Sequence, residues 1–211
     1  MDGYLTLRKG AQATGEFVDR KSRFIACIAH VESERAADEH IAAVRTQHHD
    51  ARHNVPAWTL ADGRERCSDD GEPQRTAGLP CLEVLRGAGL TDVCCVVTRY
   101  FGGTLLGPGG LMRAYTAATQ AAVDAARAAG DIVQMTLVTR VVAQIPYAAY
   151  DRVTRMASDA GGKLTDQLFT EDVQLTLSFV AGTEQPFLDA LREYANGEEL
   201  ARAGEPTFAE F

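Results

Sequence analysis

Hydrophobic and polar positions along this chain change period many times without settling into one long repeat. Residues 14–19 and 22–31 alternate as two strands joined tightly at Arg20-Lys21. In the second, Phe24, Ala26 and Ile28 interleave with Ile25, Cys27 and Ala29, so both sides are apolar and a central strand is predicted. Ser33 can cap a helix in which Ala37, Ile41 and Val44 recur at helical spacing. Residues 54–61 read as a strand, closed by the turn signal Asp62-Gly63. Residues 79–86 read as a short helix ending at Gly87 and Gly89. Residues 93–100 are β-rich and nearly free of charge, and 111–129 form an alanine-rich helix that stops at Gly130.

After Gly130 the pattern restarts. Residues 134–145 alternate as a strand, 148–160 have helical spacing up to Gly161-Gly162, and 163–169 with 173–180 suggest a hairpin. Residues 185–195 read as a helix and 207–211 as a last edge strand. The order β-α-β-β-α-β is that of a ferredoxin-like unit. The chain is therefore expected to be α+β with two domains, residues 1–130 and 131–211, meeting near Asp131.

Composition narrows the picture. The 211 residues are 45% hydrophobic and 24% charged, as in folded globular chains. No apolar run nears the roughly 20 residues that span a bilayer, and no basic-then-apolar leader opens the chain. A cytoplasmic protein without membrane contact is expected. The net charge of −8 is uneven, −1 over residues 1–130 and −7 over 131–211. That acidity argues against non-specific nucleic-acid binding by the second part. Five cysteines, Cys27, Cys67, Cys81, Cys94 and Cys95, form no C-x-x-C pair, so reduced core cysteines are expected rather than zinc. Cys94 and Cys95 should point to opposite faces of their strand.

Two glycine-punctuated segments hold the candidate chemistry. Gly102 and Gly107 have P-loop spacing, but Pro108 and Gly109 stand where Lys and Ser/Thr are required. A G-x-G-x-x-G reading fails at Met112. What is left is the backbone of Gly102, Gly103, Gly107, Gly109 and Gly110 leading into a helix N-terminus, which favours an anion, with Arg99 before it and Arg113 in the first turn. The alternative is that these glycines only let the helix pack closely.

The second segment, Ser68-Asp-Asp-Gly-Glu-Pro73, has three carboxylates within four residues but no EF-hand frame. Asp69 and Asp70 suit a tight turn with Gly71, and Glu72 can reach an arginine such as Arg99. His53, beside Arg52, either faces these loops or caps locally. No serine or cysteine sits in a nucleophile motif. No cofactor or metal is expected, although Asp69, Asp70, Glu72 and His53 leave a metal-assisted hydrolase as an alternative. Lys21, Arg23, Arg52, Arg99 and Arg113 with Trp58, Tyr100 and Phe101 offer a basic and aromatic surface for RNA, or simply solvated side chains.

Five separated motifs occur in order: Lys21-Ser-Arg-Phe-Ile-Ala26, Asp50-Ala-Arg-His53, Ser68-Asp-Asp-Gly-Glu-Pro73, Thr76-Ala-Gly78, and Thr98-Arg-Tyr-Phe-Gly-Gly103 with Leu106-Gly-Pro-Gly-Gly-Leu-Met-Arg-Ala-Tyr115. Together they resemble the IMPACT/YigZ family. Gln74-Arg75 departs from its usual small residue and glycine, adding a positive charge beside the motif. The resemblance implies a first domain like domain 2 of ribosomal protein S5 and a second like domain V of elongation factor G. It also implies a link to translation, since eukaryotic members regulate initiation through protein contacts.

The resulting expectation is a translation-associated binding protein rather than an enzyme. It would contact RNA or a ribosomal component through Arg23, His53, Arg99, Tyr100, Arg113 and the glycine backbone, with Asp69, Asp70 and Glu72 organising the site. A protein-only adaptor is a further alternative. All of this requires that the acidic turn and the second glycine stretch meet on one side of the first domain.

Overall fold

The computed structural model describes residues 3–211 and divides into two compact units, Tyr4–Val133 and Gln134–Phe211 with Gly3. Both mix helices with antiparallel sheet, as an α+β chain should.

In the first unit, β1 (Tyr4–Leu7) precedes the hairpin of β2 (Gln12–Asp19) and β3 (Ser22–His30). Arg20 and Lys21 both take positive φ, 45° and 66°, the backbone of a turn whose twist matches the strands. Then come α1 (Glu34–Gln47), β4 (His53–Thr59), β5 (Glu65–Cys67), α2 (Gly78–Gly87), β6 (Val93–Tyr100) and α3 (Gly107–Ala129). The sheet order is β2-β3-β6-β4-β5. Pro56 is tolerated inside β4 because its position faces away from β6, and its carbonyl accepts the Ser68 N–H just past the end of β5.

β6 runs through the middle and is buried on both faces, which is why its sequence is an unbroken apolar run. Val93, Cys95 and Val97 join the core under α2 and α3. Cys94 and Val96 join a smaller cluster under α1, with Ala37, Ile41 and Val44. Trp58 is in that second cluster and 4% exposed, so it cannot belong to the RNA-facing surface suggested by the sequence. All five cysteines are free; Cys81, Cys94 and Cys95 are buried, Cys27 and Cys67 half-buried. Burial pushes the Cys81 thiol up to about 12 and also raises those of Cys94 and Cys95 well above the usual thiol range.

α3 starts four residues earlier than its alanine-rich stretch suggests. Gly107, Gly109 and Gly110 disfavour helix, but Pro108 suits the first turn, where its missing N–H costs nothing. Farther along, the alanine face of α3 lies almost on the backbone of β2. A Cβ built on Gly15 would stand 2.2 Å from the Ala122 nitrogen.

The second unit contains all but the first two residues of β7 (Ile132–Ile145), a 3-10 turn at Tyr147–Ala149, α4 (Tyr150–Asp159), β8 (Lys163–Phe169), β9 (Val173–Val180) and α5 (Gln185–Tyr194). It ends with two short strands, β10 (Ala201–Ala203) and β11 (Thr207–Glu210), where the sequence suggests one. β9 lies between β7 and β8, and β10 and β11 pair with β7, every pairing antiparallel. This is the ferredoxin-like strand order. Val153, Ala157, Phe187 and Leu191 from the helices cover Val141, Ala143, Leu175 and Leu177. Among the described residues, no helix is long and apolar enough to cross a membrane.

Gly15→Ala cannot be relieved by a side-chain shift, since the clash is with helix backbone. It should destabilise the chain by about 3 kcal/mol, read as a lower urea midpoint at unchanged slope.

Candidate functional site

The acidic turn between β5 and α2 is organised by three carboxylates doing three different things. Asp69 accepts the N–H groups of Arg75, Ala77 and Gly78 at 2.7, 3.0 and 2.9 Å, so it caps the start of α2, which has no cap of its own. Asp70, at φ 46°, accepts the Asn54 N–H at 2.7 Å and pairs with Arg45 at 2.9 Å, pinning the turn to the start of β4. Glu72 turns inward and accepts from Arg99 Nη1 at 2.6 Å and from the Tyr115 hydroxyl at 2.8 Å.

Glu72 and Arg99 are 4% and 7% exposed and Tyr115 is fully buried, so this cluster is an interior ion pair with a hydroxyl attached. The Arg99 guanidinium carbon lies 5.4 Å from the Phe24 ring centre and 5.6 Å from that of Phe101. Its Nε is buried without a hydrogen-bond partner. Burial first, and the Glu72 charge second, hold the Tyr115 hydroxyl far above its ordinary range.

Above this cluster opens a cavity of about 520 Å³. Asp50, Arg52 and His53 form one wall, Glu72 and Pro73 a second, and Arg99, Tyr100 and Phe101 a third. Leu105, Leu106, Gly107, Pro108 and Leu111 supply the rest. The two glycine-punctuated segments therefore do share one side of the unit: Glu72 and Pro73 come from the first, Gly107 and Pro108 from the second.

The polar groups at this cavity are held in defined states. His53 Nδ1 lies 2.8 Å from the Asp70 carbonyl, which can only accept. Nδ1 therefore carries the proton, and Nε2 of the neutral ring keeps a lone pair. The Tyr100 hydroxyl donates to Asp50 at 3.0 Å, leaving His48 Nδ1, 2.9 Å away, to donate to it. Burial, then the bond to Asp50, raise the Tyr100 hydroxyl above its usual range. α3 begins at the cavity with no side-chain cap and no acid in its first turn. The N–H groups of Gly107 and Gly109 have no intrahelical partner there, and the aligned peptide dipoles add about half a positive charge.

The expected site residues fall into two groups. His53, Glu72, Arg99, Tyr100 and Gly107 line the cavity. Arg23, Gly102, Gly103, Gly109, Gly110, Arg113, Asp69 and Asp70 are outside its lining. Arg23 is held by Glu16 through contacts of 2.6 and 3.0 Å on the hairpin surface. Gly102 serves close packing, since a Cβ there would come 2.1 Å from the Lys21 carbonyl carbon. Arg113 lies beside the α3 start, with Nη1 3.7 Å from where a Cβ on Gly109 would be. Arg75 is exposed, also outside the lining.

The formal charges of Arg52 and Arg99 are balanced by Asp50 and Glu72, so the hollow is less cationic than the arginines alone imply. The apolar wall of Pro73, Leu105, Leu106 and Leu111 had no sequence signal beyond ordinary hydrophobicity. Metal-assisted hydrolysis is not supported by the donor geometry, because each carboxylate is engaged separately. Among the described residues, no group of three His, Cys, Asp or Glu side chains could hold a metal ion.

Glu72→Gln leaves Arg99 charged, buried and unpaired. It should lower stability by about 3–5 kcal/mol in chemical denaturation, whereas replacing both residues by apolar ones of similar volume should restore much of the loss.

Residues 20–123 match the Impact N-terminal domain, and residues 144–198 match a domain of unknown function, DUF1949. The chain is 32% identical to IMPACT family member YvyE of Bacillus subtilis, over all of this chain and 95% of that one. It is 33% identical to IMPACT family member YigZ of Escherichia coli, over 84% and 87% of the two chains. A crystal structure titled only as a hypothetical protein covers 97% of this chain and 98% of its own at 30% identity, with a TM-score of 0.61. The motifs of the acidic turn and glycine stretch, the paired domains and the full-length similarity agree: this chain belongs to the IMPACT family.

Proposed function

We propose that this protein is a translation-associated binding protein that contacts RNA, free or within the ribosome, through its first unit. The observation that carries the reading is the uncapped start of α3 at a cavity lined by Arg52 and Arg99, with Arg113 beside that helix start and outside the lining. Orphan N–H groups, a helix dipole and nearby guanidinium groups favour a phosphate. Translation enters through the family, whose eukaryotic members regulate initiation. Arg99 acts mainly from within, since Glu72 neutralises it. Arg52 and Arg113, both exposed, would meet the backbone directly.

One observation favours a second reading, the protein-only adaptor. Phe101 is 53% and Leu105 82% exposed at the cavity rim, an apolar lip that suits a protein segment. The two readings part on nuclease treatment. An RNA-dependent association is lost, and a direct protein contact persists.

Co-sedimentation with purified ribosomes and ribosomal RNA should show binding at low salt that weakens steeply as salt rises. The double variant Arg52→Ala, Arg113→Ala should bind more weakly and flatten the log-log salt slope by about 1–2. Absence of binding at low salt would refute the RNA reading.

A further inference from the structure

The cavity differs from a plain phosphate site in that most of its wall is carbon. Phe101, Leu105, Leu106, Leu111, Pro73 and Pro108 surround the few polar groups. A phosphate alone would leave that wall wet, and a stacked duplex presents no free base face to cover it. At about 520 Å³ the space is in the size range of small-ligand sites, roughly 300–1,000 Å³.

We infer that the cavity takes one unstacked nucleotide of single-stranded RNA, a deepening that rests on the RNA reading above. The phosphate is received at the start of α3 by the N–H groups of Gly107 and Gly109, with Arg113 alongside. The base lies against Phe101 and the leucine wall, where every base offers a π-face. His53, oriented by the Asp70 carbonyl, presents Nε2 as an acceptor for an exocyclic amino group. Nε2 makes no other hydrogen bond among the described residues. The helix start is not the sole pointer. Arg99 lines the same cavity more than nine-tenths buried, with an Nε that has no partner.

The Arg99 guanidinium is already paired with Glu72 and its Nε is shielded from the open space, so it shapes the floor of the cavity rather than bonding the ligand. Its position beneath the Phe101 ring also keeps that ring in place as a stacking surface. Aromatic face, acceptor and helix start therefore converge on a ligand with both a flat ring and an anion.

The test uses the full-length protein and fluorescence anisotropy of two labelled RNAs, a single strand of about 10 nucleotides and a hairpin duplex of the same composition. The single strand should bind at least about ten-fold more tightly, with Phe101→Ala weakening it about ten-fold and so narrowing its advantage over the duplex. Phe101 is over half exposed, so that variant should keep the parent melting profile, and Leu105→Asp, at a still more exposed position, provides an independent check. Equal affinity for both RNAs, with no effect of either substitution, would overturn the nucleotide cavity while leaving RNA binding by the first unit intact. No binding of either RNA at low salt would overturn both. Displacement of the single strand by a hydrophobic peptide with a free terminal carboxylate, lost in Phe101→Ala, would reassign the cavity to a protein segment.

Discussion

The contact between Arg99 and Glu72 joins three elements that are far apart in the chain. Arg99 is at the end of β6, Glu72 in the turn before α2, and Tyr115, which bonds to the same carboxylate, on α3. Without Glu72 the guanidinium between Phe24 and Phe101 would be an uncompensated interior charge. Without Arg99 the carboxylate would be one. Each charge is tolerable only because the other is there, and together they fix the acidic turn against the helix whose start opens the cavity. Buried pairs of this kind add little net stability over a hydrophobic packing. What this one contributes is position: it sets the floor of the cavity to within a hydrogen-bond length.

The remaining carboxylates extend the same logic outward. Asp69 joins the turn to α2 and Asp70 joins it to β4 and α1, through backbone N–H groups and Arg45. A run of acids that looks like a cation site in the sequence is thus a set of three fasteners. Their oxygen atoms meet N–H and O–H donors rather than one another, which avoids the repulsion that three clustered carboxylates would otherwise suffer.

Much of this architecture was legible in the sequence because its hydrophobic pattern is strong. β6 read as a strand because both of its faces are buried, and Cys94 and Cys95 read as opposed because strand side chains alternate. The β-α-β-β-α-β order of the second unit was visible from period changes alone. The short strands β1, β5 and β10, of three or four residues each, are too brief to show a period. The start of α3 was missed because three glycines argue against helix more strongly than one proline argues for it. Trp58 looked like a surface aromatic because the sequence does not say that α1 covers that face of the sheet. The pairing of Glu72 with Arg99 could be anticipated from charge, but not that it is sealed inside. The leucine wall could not be anticipated at all, since an exposed Leu105 and a buried Leu82 look alike in one dimension.

The hairpin turn at Arg20 and Lys21 has a consequence beyond β2 and β3. Its peptide lies so close to Gly102 that the loop after β6 has no room to relax inward there, and the Gly102 N–H is taken by the Ser22 hydroxyl. The chain is thus braced on one flank just as it leaves the sheet, before residues 103–105 run exposed toward α3. A local choice of backbone handedness eighty residues upstream thereby anchors the strand end that carries Arg99, Tyr100 and Phe101 into the hollow.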